Sequence, residues 1–272
     1  PSINGMSTLV ASLNTSIDID AQNKEDFGKL VRRIMLSSSG QFASMASDGR
    51  PIKETAVQQT PSPIWARCKE LAEGATNRCN YSQAEAMWLG ALAEARTFDR
   101  RDPRLALTLE SLASLYLVLE RFEQAEMFNR NALEALIAIY GPMHIKVANC
   151  MNTLAGILYN QGRLKEAEPY CIKLLYIYEG AYGPDHADVG MAVNNLAMIY
   201  HTQGKHKQAD RMYQRAIRIR SKALGDNHPI VVSLVDNYCN LLAVTGRSRD
   251  ALELSRSRDI SSIAPLPMLA AG

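Results

Sequence analysis

The chain has 272 residues, enough for a large buried core, and its 30 basic and 28 acidic side chains leave it nearly neutral at +2. So even a balance gives no global electrostatic reason to expect nucleic acid, and no run approaches the roughly eighteen apolar residues that a spanning helix needs. Five cysteines, Cys68, Cys79, Cys150, Cys171 and Cys239, lack C-x-x-C spacing, and an odd number leaves at least one unpaired, a usage that suits a reducing, cytoplasmic setting.

Residues 1–19 are polar and irregular, without the basic start and apolar core of a secretory signal. The chain begins at Pro1, which leaves open whether it is a fragment or whether the residues before Met6 are foreign to it. Over 20–36, Phe27, Leu30, Val31, Ile34 and Met35 mark one stripe of an amphipathic helix. Its readings are an N-terminal cap on the first repeat, a partner-binding helix or a membrane-surface helix. Serine, glycine and proline then give 37–62 the composition of a linker.

From Pro63 onward one unit recurs. Ala125, Ala167, Ala209 and Ala251 are 42 residues apart, as are Gly141, Gly183 and Gly225, and a fixed period of this size signals a repeat array. Each unit reads as a helix, a tight turn, a longer helix and a glycine-capped exit. In the clearest copy Leu196, Ala197, Ile199 and Tyr200 share a stripe, Gly204 breaks it, and Ala209, Met212, Tyr213, Ala216 and Ile219 form the second stripe up to Gly225, where a left-handed cap is expected. The repeats run 63–101, 102–143, 144–185, 186–227 and 228–258, the first divergent by a one-residue deletion and the last weak in its second helix, with a tail at 259–272. Atypical terminal repeats are expected where one side meets water.

Ser62-Pro63, Asp102-Pro103 and His228-Pro229 read as N-cap and first helical residue, and His144 and His186 stand where His228 does. Three histidines in register do not make a metal site: equivalent positions on neighbouring helices are roughly 8 to 10 Å apart, whereas zinc ligands lie about 2 Å from the ion. Capping is the expected role.

The string N-N-L-A-x-I-Y-x-x-Q-G-K-x-x-Q-A-D-x-x-Y-x-R-A-I beginning at Asn194, followed by L-G-D-N-H-P and anticipated by G-P-D-H at Gly183 to His186, resembles the 42-residue tetratricopeptide repeat of the kinesin light chain type. The resemblance extends from Ile64 to about Ser257. It implies an all-α, right-handed superhelical solenoid of antiparallel helix pairs whose first helices line a concave groove. It also implies a protein or peptide partner held there, although no heptad coiled coil that would join a motor is readable in the chain.

On that pattern the groove is lined by Asn149, Asn152 and Thr153, by Asn194 and Asn195, and by Asp236, Asn237 and Asn240. Tyr159 and His201 lie one turn further along, and Lys69 and Glu73 extend the groove onto the first repeat. Asparagine is a mediocre helix former, so its recurrence on three helices asks for a reason. A side-chain amide offers one acceptor and two donors, which suits the backbone of an extended peptide, and equally suits amide ladders between helices.

No nucleophile elbow, phosphate loop, dinucleotide fingerprint or zinc-protease motif is present, so neither catalysis nor a cofactor is expected. Glu110, Glu134 and Asp236 read as solvated acids on polar helix faces. Arg211, Arg215, Arg218, Arg220 and Lys222 crowd one second helix, with Arg247, Arg249, Arg256 and Arg258 downstream; they read as a solvated face or as a dock for an acidic partner. The expected function is a non-catalytic adaptor or scaffold. A subunit of a larger assembly docking through the second helices and the N-terminal helix, or a regulatory domain of a larger enzyme, stay open.

Overall fold

The structure, a computed structural model, describes residues 62–257. The irregular segment 1–19, the helix expected over 20–36, the linker up to residue 61, the tail at 259–272 and the side chains of Arg256 and Arg258 lie outside the described residues.

The described residues form ten α-helices and no strand: α1 Pro63–Asn77, α2 Tyr81–Ala95, α3 Pro103–Val118, α4 Phe122–Tyr140, α5 Ile145–Asn160, α6 Leu164–Tyr182, α7 Ala187–Thr202, α8 His206–Leu224, α9 Pro229–Val244 and α10 Ser248–Ser257. They pack as two compact units, the first closing at Gly162 and the second opening at Arg163.

The helix starts follow their residue chemistry. The Ser62 hydroxyl accepts from the Trp65 N–H at 3.2 Å and the Asp102 carboxylate from the Arg104 N–H at 2.9 Å, each ahead of a proline whose missing N–H is not wanted there. The histidines cap as expected: Nδ1 of His144, His186 and His228 accepts from the N–H of Lys146, Asp188 and Ile230 at 3.1, 3.2 and 3.2 Å. Longer helices end at Gly141, Gly183 and Gly225, with φ of 83°, 83° and 84° and ψ of 162°, 162° and 152°. The positive φ was expected, but the left-handed helical cap was not found: this extended, positive-φ region is essentially reserved for glycine.

Small residues set the helix spacing within each unit. Ala113, Ala125 and Ala132 in the first unit, and Ala197, Ala209 and Ala216 in the second, are fully buried where paired helices cross. Around them pack Leu112, Phe128 and Tyr116 in the first unit and Tyr213, Ile217 and Leu241 in the second.

Polar clasps join successive pairs. In the first unit the Trp65 indole donates to the Thr108 hydroxyl at 3.0 Å, and the Tyr116 hydroxyl to Glu85 at 2.6 Å, with Arg121 3.4 Å from the same carboxylate. In the second, Lys205 reaches Glu168 at 2.8 Å, while Asp210 receives Tyr238 at 2.8 Å and Arg247 at 3.2 Å. Glu168 and Asp210 are 42 residues apart, as are Lys205 and Arg247, so one acid-to-base clasp is written at a fixed register.

Candidate functional site

The first helices carry the residues expected to line a groove, and the structure divides them. On α5, Asn152 and Thr153 are buried, at 0% and 6% exposure, whereas Asn149 and Tyr159 are half-buried. The Thr153 hydroxyl turns back onto the Asn149 carbonyl at 3.4 Å, a contact within the helix. On α7, Asn194 is 1% exposed and its amide donates to the Met198 sulfur at 3.6 Å, while Asn195 is half-buried. On α9, Asn237 is half-buried and Asp236 and Asn240 are exposed.

Asn152, Thr153 and Asn194 are therefore corrected from surface groups to interior ones. For Asn194 the reason is angular: neighbouring residues point about 100° apart around a helix of 3.6 residues per turn, so Asn194 and Asn195 cannot share a face; Thr153, at the register of Asn195, is buried all the same. The Asn194 Oδ1 is left buried without a hydrogen-bond donor among the described residues. Such an orphan typically costs about 1 to 3 kcal/mol, so the side chain is a burden on the core.

What remains accessible is ordered. Asn195 and Asn237 occupy the same register on α7 and α9, which touch directly, and both are half-buried. His201 lies edge-on to the His206 and Tyr213 rings, at centroid distances of 6.2 and 6.1 Å. Burial, then the neighbouring His206, holds its pKa below the ordinary 6.5, so it is a neutral, packed ring more than a projecting one. On α1, Lys69 and Glu73 are spent partly on each other, 3.6 Å apart.

One residue of this surface was misread. Glu110 is not a solvated acid: it is half-buried against α5, and burial pushes its carboxyl up to about 7 despite the opposing pull of Lys146. Its field in turn helps burial to raise the Cys150 thiol, whose sulfur lies 3.5 Å from the Asn129 carbonyl oxygen. Glu110 stands in one column with Asn152, Asn194 and Asp236, 42 residues apart, but the two amides are buried and Asp236 is exposed, so the spacing alone did not mark Glu110. Glu134 and Asp236 are exposed, as expected for solvated acids.

The basic residues of α8 also divide. Arg220 is buried at 9% exposure, and burial holds its guanidinium below the ordinary range. Arg215 pairs with Glu179, and Lys222 with Asp185 at 2.9 Å. Arg247 and Arg249 are likewise engaged, by Asp210 and Asp250 and by Glu253.

Comparisons with known proteins agree with the geometry. The tetratricopeptide repeat family model matches residues 146–222 and 189–257. No curated protein matches the sequence. Among solved structures the chain is similar to BtubC (BKLC) from P. vanneervenii, at 23% identity and a TM-score of 0.63 over 77% of this chain and 87% of that one. It is similar to a kinesin light chain of Podosopora anserina with nearly identical TPR-like repeats, at 18% identity and a TM-score of 0.62 over 75% of this chain and 97% of that one. The apo form of RapI is also similar, at 15% identity and a TM-score of 0.63 over 71% of this chain and 68% of that one. Identities this low speak to the fold. No described helix is long and apolar enough to cross a membrane. With its helix pairs and its 42-residue register, the chain has the fold of tetratricopeptide repeat proteins, and residues 146–257 match that family's model.

Proposed function

We propose that the chain is a non-catalytic scaffold that holds an extended segment of a partner protein against the first helices of its repeats. Tetratricopeptide repeats support a protein-interaction role in general; the peptide mode is the finer reading. It rests on Asn195 and Asn237, which recur at one register on the touching helices α7 and α9 and are both only half-buried. An amide at each place offers donors and an acceptor to a passing backbone without demanding a particular sequence. The exposed Asp236 and Asn240 widen the polar strip. On α5, Asn149 and Tyr159 are half-buried at other registers, and Thr153, at the register of Asn195 and Asn237, is buried.

Random peptides displayed on phage and selected on the full chain supply the probe. The affinity of a selected peptide for the wild type and for Asn195→Ala/Asn237→Ala is then compared by calorimetry. A loss of about tenfold or more, near 1.4 kcal/mol, is expected. Equal affinity at unchanged helicity removes the amide clamp.

A further inference from the structure

The register that clasps one pair to the next also arranges the outer side of the second helices. Glu168 and Lys205 are 37 residues apart, Glu179 and Arg215 36, and Asp185 and Lys222 37. In the second unit these three pairs lay α8 along α6. By the same offset Arg211 falls level with Leu174 and Leu175 of α6, and Arg218 level with Ala181 and Tyr182.

On that alignment Arg211 is level with the stretch of α6 that carries Ile172 and Tyr176, 48% and 68% exposed, and Arg218 is level with Tyr182, 38% exposed. Both arginines are exposed, and neither makes an ion pair or a hydrogen bond among the described residues. Arg218 only adds a longer-range pull that helps hold the Asp185 carboxyl below its ordinary range, an effect led by the Lys222 contact. Along α8, Lys207, Arg211, Arg215, Arg218 and Lys222 lie within about 80° of one another around the helix axis, and the helix has a single acid, Asp210. Two of these cations are satisfied by acids from α6 and its exit, and the others are not.

We propose that this outer face of α6 and α8 docks an acidic segment of a partner protein in which carboxylates alternate with aliphatic or aromatic side chains. Arginine takes a carboxylate in bidentate fashion, and Glu179 and Asp185 already show that carboxylates suit this row. Ile172 and Tyr176 give the incoming apolar groups somewhere to leave water. A nucleic-acid backbone would engage the arginines alone, and the resident Glu179 and Asp185 interrupt the continuous positive field a polyanion prefers. The face is built from second helices, so it is separate from the amide strip of α7 and α9.

The full chain is titrated at physiological salt with three labelled probes: a peptide alternating glutamate with leucine and tyrosine, a glutamate-only peptide of equal length, and single-stranded polyuridylate. The mixed peptide is expected to bind most tightly. Arg211→Glu and Arg218→Glu should each weaken it about tenfold, and Ile172→Ser and Tyr176→Ser by a few fold, whereas Asn195→Ala/Asn237→Ala should leave it unchanged. Arg211→Gln, read beside the helical circular dichroism signal, separates lost docking from lost folding. The proposal falls if the mixed peptide does not bind, if the glutamate-only peptide or polyuridylate binds as well, or if reversing either arginine changes nothing.

Discussion

Gly190 of α7 lies so close to α8 that a Cβ on it would stand 2.9 Å from the Ile219 Cγ2 and 3.0 Å from the Arg220 Cγ. A glycine in mid-helix is otherwise a liability of about 1 kcal/mol against alanine, so its presence is explained by this approach. Gly180 of α6 has nothing within 4 Å of the same point. Gly180→Ala is therefore expected to stabilise the protein by about 0.5 to 1 kcal/mol, and Gly190→Val to destabilise it by about 1 to 3 kcal/mol through overpacking. Urea midpoints of the two variants should move in opposite directions.

Glu110 couples stability to pH in the direction opposite to most acids. Its folded pKa of about 7 exceeds its ordinary 4.5, so between those values the fold retains a proton that the unfolded chain releases. Stability from this residue is complete below the lower value and declines as pH rises through the higher one. Glu110→Gln should match the wild type at pH 4.5 and exceed it at pH 8 by about 1 to 3 kcal/mol. Parallel curves from chemical denaturation at the two pH values would contradict the burial of this carboxyl.

Asp102 and Arg104 behave the other way. The hydrogen bonds from Arg104 outweigh burial and hold the Asp102 carboxyl below its ordinary 3.8, while the guanidinium rests 3.8 Å from the Phe98 ring centroid. Stability from this pair is present above the ordinary carboxylate value and is lost as pH falls through the depressed one. Both side chains are more than nine-tenths buried, so Asp102→Ala removes a cap and the carboxylate that pairs with a buried guanidinium. A cost of about 3 to 5 kcal/mol is expected, with Asp102→Asn intermediate because it keeps the cap.

Glu120 has a φ of 57° at the turn where Gly162, Gly204 and Gly246 sit in the later repeats, with φ of 74°, 74° and 80°. A side chain in that left-handed region costs roughly 1 to 2 kcal/mol, which glycine avoids. Glu120→Gly should raise the thermal midpoint, by an increment near 0.5 to 1 kcal/mol after the greater flexibility of unfolded glycine is counted.

The helices, their N-terminal caps and the small-residue contacts were legible because each is a local pattern: a period of 3.6, a proline or histidine at the start, an alanine every repeat. The amide face was half legible. Spacing placed Asn194 and Asn195 on the right helix, but one residue of rotation decides which of them meets water, and that is settled by how α7 leans on its neighbours. Arg220 was misplaced for a related reason: two residues from the exposed Arg218 and Lys222, it points about 200° away from each around α8, into the core. The clasp from Glu168 to Lys205 and from Asp210 to Arg247 was missed because its partners are 37 residues apart, a distance that becomes contact only once two pairs are stacked.

A pairing rule that depends only on distance along the chain makes the sequence editable in blocks. Excising Ala187 to His228 would bring His186 directly before Pro229, recreating the His-Pro dipeptide that already opens α9. Duplicating the same block would insert a pair whose Lys205 and Asp210 meet their clasp counterparts, although the copied Arg215 and Lys222 would face Ser221 and Asn227 in place of acids. The chain thus carries its own cut sites, and gain or loss of a whole repeat preserves the clasp register, whereas a single inserted residue would put out of step the clasp that spans it, Glu168 to Lys205 or Asp210 to Arg247, and leave the other in place.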